Sequence, residues 1–436
     1  MADGVITEQK KIEPRAAAAA EGHHTAVELP RFSLDRTFAA LKYPNYRLWF
    51  VGQLASLVGT WMQSTAQGFL IYQLTNNSPA YLGYVAFAAG VPSWLFMLYA
   101  GVIADRMSRR TLLVLTQTVM MLLAFALAAL TFLNLVQPWH IIVLAFLLGV
   151  ANSFDAPARQ AFVLEMVDRK ELTNAIALNS TMFQAATIVG PAVAGITYAL
   201  LGPAWCFVIN GISFIAVIVA LLAMKLKPFA VTRQATSALH DLAEGLRYTL
   251  THSVIRTLIA IIAVASLFGL AFATLFPAWA VSVLNGDAST NGYLQSARGV
   301  GALIGALMIA SLGHFRAKGK LLTLGTFALP VALILFSFTN TLVTSLLMLV
   351  AAGWAFMLLA NMANTLVQTE VTDELRGRVM AVYSLVFFGF MPVGGLGAGL
   401  AAQYFGPPAA VAMAGVATLV FSVAIYLFLP RVRALE

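Results

Sequence analysis

Twelve apolar runs, each near the length that crosses a bilayer, divide this 436-residue chain. A helix needs about 20 apolar residues to span the hydrocarbon core, where no water completes an unpaired backbone group. The runs lie near 46–73, 81–104, 111–133, 139–158, 176–200 and 204–224. After a break they continue near 256–284, 291–312, 320–338, 341–363, 379–402 and 408–430. A chain that is 60% hydrophobic and 10% charged is not a soluble enzyme. The expected fold class is an all-α membrane protein with twelve transmembrane helices.

The charges orient these spans. Of 26 Lys and Arg residues, all but Arg298 fall in, or at the edge of, the tails and alternate loops. The intervening loops, such as 75-TNNSPA-80, 134-NLVQPW-139, 201-LGPA-204 and 403-QYFGPP-408, carry none. By the positive-inside rule the basic loops and both termini are expected in the cytoplasm. The net charge of +8 then faces anionic lipid at that surface, not nucleic acid. Residues 1–40 open Ala- and Glu-rich without an apolar core, and read as a disordered cytoplasmic tail, not a signal peptide. Residues 431–436 form the other cytoplasmic tail.

The chain also matches itself at a shift of roughly 205–210 residues. The segment 55-ASLVG-59 recurs as 265-ASLFG-269, and 88-AAGVP-92 as 297-ARGVG-301. Further on, 165-EMVD-168 answers 370-EVTD-373, and 190-GPAVAG-195 answers 391-MPVGGLG-397. The order predicts two pseudo-symmetric six-helix bundles, 41–224 and 256–430, with a binding site near midplane between them. A cytoplasmic linker, 225–255, joins them. Its Leu239, Leu242, Leu246 and Leu250 recur at helical spacing while Asp241, Glu244 and Arg247 take other faces, a pattern for an amphipathic surface helix or a plain solvated linker.

Polar residues of the first span fall on one helical stripe: Gln53, Ser56, Thr60, Gln63 and Gln67. Unmet amides in lipid cost several kcal/mol, so this stripe lines a cavity or bonds a neighbouring helix. The repeat aligns Gln63 with Ala273 and Gln67 with Pro277, while Phe268, Phe272, Phe276 and Trp279 form an aromatic ridge on the seventh span. An amide wall facing an aromatic one suits a bulky amphiphilic solute, though the ridge equally suits core packing. Arg298 is the basic residue that departs from the cytoplasmic side, roughly 10 Å into the eighth span at about 1.5 Å per residue. It reads as a cavity cation for an anionic substrate or a carboxylate partner, with snorkelling to headgroups as the alternative.

Between the second and third spans runs 101-GVIADRMSRRTL-112. Its Gly101, Asp105, Arg106, Arg109 and Arg110 resemble the corresponding loop of major facilitator superfamily transporters, with Ser108 where that family usually has glycine. The glycine permits close helix approach, the aspartate meets a helix N-terminus, and the arginines anchor in water and headgroups. The segments 42-KYPNYRLWFVGQLASLVGTWMQ-63, 154-FDAPARQAF-162 and 171-ELTNAIALNS-180 resemble the exporter branch that includes bacterial enterobactin exporters. The resemblance covers nearly the whole chain from Leu41 onward. It implies the major facilitator fold and a bacterial inner-membrane exporter of a siderophore-like or drug-like molecule, working as a monomer and energised by protons. Gly190, Pro191 and Gly195 are similar to the antiporter signature of the superfamily's exporters, where close packing and a bend are needed. Drug–proton antiporters usually place an arginine four residues before a glycine in the fourth span; with Gly149 as that glycine the position is Ala145, which removes the usual route of proton coupling.

Charges at the inner ends suggest a gate. Asp155 and Arg159 are spaced for an i,i+4 pair, and Pro157 ends or kinks the helix there. Asp105, Asp155, Glu165 and the neighbouring arginines are expected to exchange partners as the halves rock, with Glu370, Asp373, Arg376 and Arg378 supplying the other half; a static surface network is the alternative. No GxxxxGK loop occurs, the one cysteine is Cys206, and His23 and His24 lie in the tail. No cofactor or metal is expected, nor enzymatic activity. An importer or a lysophospholipid flippase on the same fold would share these features.

Overall fold

The computed structural model describes residues 38–226, 238–312 and 317–428. Most of the expected tails, the first part of the linker and residues 313–316 therefore lie outside the described residues. The described chain is helical throughout its ordered elements, with no strand among the described residues. The first half comprises α1 (Pro44–Leu74), α2 (Pro79–Arg106), α3 (Arg109–Phe132), α4 (Pro138–Phe162), α5 (Leu172–Leu201) and α6 (Pro203–Ala223). The second comprises α7 (Ser253–Ser282), α8 (Ala288–Leu312), α9 (Lys318–Ser337), α10 (Leu342–Glu370), α11 (Asp373–Phe405) and α12 (Pro407–Phe428). Ten of these are long and apolar enough to cross a membrane on composition alone among the described residues. α1 falls short because its own glutamines dilute it.

Local chemistry sets the ends. Proline opens α1, α2, α4 and α6, where its missing N–H would have had no intrahelical partner. The Ser108 hydroxyl caps α3 by accepting from the Thr111 amide at 3.1 Å. The repeat is visible in the turns: Asn76 and Asn285 both take left-handed φ, as do Gly202 and Gly406 before the prolines that open α6 and α12. Asparagine and glycine are the residues that adopt this conformation at least cost.

The turns after odd-numbered helices carry no Lys or Arg among the described residues, whereas Arg106, Arg109, Arg110, Arg169, Lys170, Lys318, Lys320, Arg376 and Arg378 lie in the turns after α2, α4, α8 and α10 or on the helix ends that flank them. We call these the charge-poor end and the basic end. The halves meet along two repeat-related seams, α2 against α11 and α5 against α8. Both are built on glycine. A Cβ on Gly83 would lie 3.1 Å from Gly395 and Leu396 backbone atoms, and one on Gly195 would lie 2.7 Å from Ser289 Cα. Inside each half the same device recurs at equivalent places: a Cβ on Gly149 would strike the Ala89 carbonyl, and one on Gly353 the Arg298 carbonyl.

α7 departs from the continuous span that its composition predicts. Ala265–Leu270 forms a π-helical turn and Ala271–Leu275 a 3-10 segment before the helix resumes at Phe276. Pro277 donates no hydrogen bond to the preceding turn, which accounts for a break just before it. The linker contributes one helix, Ala238–Thr251, seated on α11 through Gly245, whose Cβ would lie 2.5 Å from the Arg378 carbonyl. Its Leu246 and Leu250 are exposed and Leu242 half-buried.

Gly301→Val tests the glycine packing, because the new side chain would run into the Val350 carbonyl across the α8–α10 contact. Overpacking of this kind costs about 1–3 kcal/mol and should sharply reduce the monodisperse fraction on size exclusion. Gly377→Ala, with nothing within 4 Å of the added carbon, should be within about 1 kcal/mol of the parent. Equal yields of the two variants would contradict the packing account.

Candidate functional site

Between the halves lies a cavity of about 440 Å³. α1 presents Thr60, Gln63 and Gln67 to it, as a polar stripe on a buried helix must find such a space or a partner. Gln53 and Ser56, on the same stripe nearer the basic end, are buried but do not line the cavity, and the Gln53 Oε1 has no hydrogen-bond partner. Gln63 accepts at Oε1 from Asn210 Nδ2 at 2.7 Å, so α6 shares this wall. From the other half, α8 supplies Gln295 and Arg298; the Thr65 hydroxyl donates to Gln295 Oε1 at 3.3 Å across the seam.

The aromatic ridge of α7 lies elsewhere. Phe272, Phe276 and Trp279 are almost wholly buried and pack on Phe336 of α9, with Trp279 stacked at 4.2 Å and Phe272 edge-on at 6.0 Å. Phe268 is half-buried and does not line the cavity either. Leu270, Ala273, Thr274 and Pro277 face the cavity instead, with Ala273 and Pro277 at the positions that the repeat aligns with Gln63 and Gln67. Aromatic surface comes from Trp61, Phe214 and Phe388. Ala145, where an arginine would sit in a drug–proton antiporter, is also in the wall.

Arg298 lines the cavity, and its Nε is buried with no hydrogen-bond partner. Among the described residues no Asp or Glu lines the same space. Asp155, the other ionisable side chain deep in the bundle, is committed within the first half: its Oδ1 accepts from the Thr116 hydroxyl and from Gln117 Nε2, both at 2.9 Å, and Arg159 Nε lies 3.5 Å from its Oδ2.

At the basic end every ion pair among the described residues stays within a half or joins the linker. Arg109 pairs with Glu165 at 2.7 Å and Arg376 with Asp373. Arg378 holds Asp241 at 3.0 Å and Glu244 at 2.6 Å, both on the linker helix. Arg110 donates to the Leu222 carbonyl at 2.7 Å, while Arg106 and Glu370 are exposed. The surroundings of Gly101 and the side chain of Asp105 lie outside what the structure describes. Tyr43, just before α1, donates to Asp168 Oδ2 at 2.9 Å, and the acceptor carboxylate raises the phenol above its ordinary pKa, so this tie persists at neutral pH. Hydrogen bonds between the halves lie toward the opposite end: the Ser78 hydroxyl donates to Gln403 Oε1 at 2.7 Å, and the Ser289 hydroxyl to the Gly195 carbonyl at 3.3 Å. Gly190 and Gly195 explain the glycine–proline run of α5. A Cβ on the first would lie 2.6 Å from Trp61 of α1, and the carbonyl of Pro191 abuts Gly292 of α8.

The family model described as transmembrane secretion effector, within the major facilitator superfamily, matches residues 35–436. The chain belongs to this family. Within it, the chain is 26% identical over 370 residues to the multidrug efflux pump Tap of Mycolicibacterium fortuitum, covering 83% of this chain and 90% of that one. It is 23% identical over 382 residues to the staphyloferrin A transporter of Staphylococcus aureus, covering 87% and 95%. The enterobactin exporter EntS of Escherichia coli is 24% identical over 403 residues, covering 90% and 93%. In fold it is similar to the nucleoside transporter NupG, with a TM-score of 0.69 at 14% identity, covering 88% and 98%. A bacterial homologue of the lysosomal transporter Spinster gives 0.66 at 14% identity, covering 92% and 98%. The protein is thus a multi-pass membrane transporter of the major facilitator fold.

For this transporter the sequence signals that would have found Asn152, Asn210 and Gln295, all cavity-lining, are the same as for α1: amides inside apolar spans. The buried Asp155 carries a direct test. Asp155→Ala strands the Thr116, Gln117 and Arg159 donors and should lower stability by about 3 kcal/mol, whereas Glu165→Ala, at a half-exposed pair, should cost about 1 kcal/mol or less. Thermal unfolding of the purified variants reads the difference, and similar midpoints would show that Asp155 is not a packing anchor.

Proposed function

We propose that this transporter exports an amphiphilic small molecule, siderophore-like or drug-like, across a bacterial inner membrane by alternating access. The observation that carries the reading is the cavity between the halves, with an amide-bearing wall on one side and the uncommitted Arg298 on the other. A site shared by two bodies that rock against each other is open to one side at a time. The basic end faces the cytoplasm on this reading, with both termini and the linker helix there and its bases toward anionic lipid. The molecule enters from that end, where the described ion pairs leave the halves unjoined, and departs when the Ser78–Gln403 seam opens. The Arg109–Glu165 and Arg376–Asp373 pairs are the candidates to change partners during closure. The names of the staphyloferrin A, enterobactin and Tap relatives support the substrate class, and those of the enterobactin exporter and the Tap efflux pump support the direction.

A proton gradient is the proposed energy source, by a route other than an arginine at position 145, and the working unit is a monomer. Purified protein in liposomes with a trapped pH-sensitive dye tests this. Addition of catecholates, amphiphilic drugs or lysolipids should move protons for one compound class and not in empty liposomes. Labelled compound crossing without a dye response would refute proton coupling, and a response confined to lysolipids would favour a lipid flippase. Asp105→Asn should leave ligand binding intact but slow turnover, measured as initial efflux rate; an unchanged rate would remove Asp105 from the gate.

A further inference from the structure

The cavity has a chemical polarity that its size and position do not require. Among the described residues its wall contains one ionised side chain, Arg298, and no carboxylate, histidine or lysine. The Arg298 backbone is pinned, since its carbonyl fills the space a side chain at Gly353 would occupy. The guanidinium is therefore presented from a fixed point on the second half.

On the first half, the direction of the amides is set by a relay. The Ser213 hydroxyl lies 2.7 Å from the Asn210 main-chain carbonyl and 3.1 Å from its Oδ1, so Oδ1 faces a donor. Asn210 Nδ2 is thereby turned to Gln63, whose Oε1 accepts it at 2.7 Å. Gly59 holds the relay in place: a Cβ there would lie 2.6 Å from both Asn210 Oδ1 and Ser213 Oγ, so α1 is pressed onto this pair. With its oxygen occupied, Gln63 has its Nε2 donor uncommitted, on a residue that lines the cavity.

We propose that the cavity is a donor cradle for an oxygen-rich anion, clamped between Arg298 of one half and Gln63 of the other, with Asn210 as the positioning residue that fixes the Gln63 amide. The inference rests on the export reading above and names the substrate class of that site. A guanidinium and an oriented amide N–H both favour carboxylate or catecholate oxygens over amines. Because the two donors sit on different halves, the anion bridges bodies that move relative to each other, and its binding is linked to that motion.

Binding to the full-length protein in lipid nanodiscs tests this, read by the intrinsic fluorescence of each probe. The probes are dansyl-aspartyl-glutamate, its permethyl ester and the cation ethidium. The carboxylate probe should bind about tenfold or more tighter than its ester, the size expected of charge-assisted hydrogen bonds. Asn210→Ala should weaken the carboxylate probe about fivefold and leave the ester unchanged, since a misoriented amide loses about one neutral hydrogen bond. Gln63→Glu, which replaces the donor with an acceptor, should weaken the carboxylate probe by about tenfold or more without weakening ethidium. It provides a second reading should Asn210→Ala fold poorly. Equal binding of carboxylate and ester, or an Asn210→Ala loss that is the same for both, would overturn the inference. Transport assays with the same probes separate the two proposals. Movement of ethidium and ester with no carboxylate preference would leave export standing and remove the anion cradle. If no probe binds and none moves, both fall.

Discussion

A polar side chain in the hydrocarbon core of a bilayer must find a partner in the protein or turn to a space that water can enter. That constraint sorts the polar residues of this transporter. Many serines and threonines on the spans bond back to carbonyls of their own helix, as Thr118 does to Val114 and Thr418 to Ala414. Asp155 collects donors from α3 and its own helix. Gln63 and Gln67 of α1, Asn152 of α4, Asn210 of α6, Gln295 of α8 and the guanidinium of Arg298 converge instead on one cavity. The site is where a large share of the amides carried by the spans is gathered.

Glycine makes that gathering possible. Lipid tails are as apolar as leucine, so helices in a membrane adhere through close contact more than through hydrophobic burial. The seams between the halves and within them run over glycines set against neighbouring backbone, in the same places in each repeat, as at Gly149 and Gly353. Two bodies joined this way can change their angle without dismantling a core, which is what alternating access asks of them.

Much of this was written in the chain. Apolar run length placed the spans to within a few residues, and the distribution of Lys and Arg divided the two ends, because both follow from bilayer thickness and surface charge alone. The stripe on α1 was legible down to Gln63 and Gln67, since helical periodicity decides which residues share a face. The ridge of Phe272, Phe276 and Trp279 also shares one face, but periodicity does not decide whether a face meets the cavity or the core, and this one packs around Phe336 of α9. The Gln63–Asn210 bond and the attachment of Arg378 to Asp241 and Glu244 depend on pairings between distant segments. No periodicity encodes those. The charges at the basic end were recognisable as a set, but which of them meet is a property of the folded halves.

The central claim is that the halves must part at the charge-poor end for a molecule to leave the cavity. Ser78 and Gln403 face each other there at 2.7 Å, and the native chain has one cysteine, the buried Cys206. In a Ser78→Cys, Gln403→Cys double variant reconstituted in liposomes, a short bis-methanethiosulfonate reagent spans the length of the lost glutamine side chain, and efflux is measured before and after the bridge is reduced. The cross-linked protein is expected to bind ligand from the basic end without transporting it, and reduction should restore the rate. Full transport by the cross-linked protein would contradict the claim.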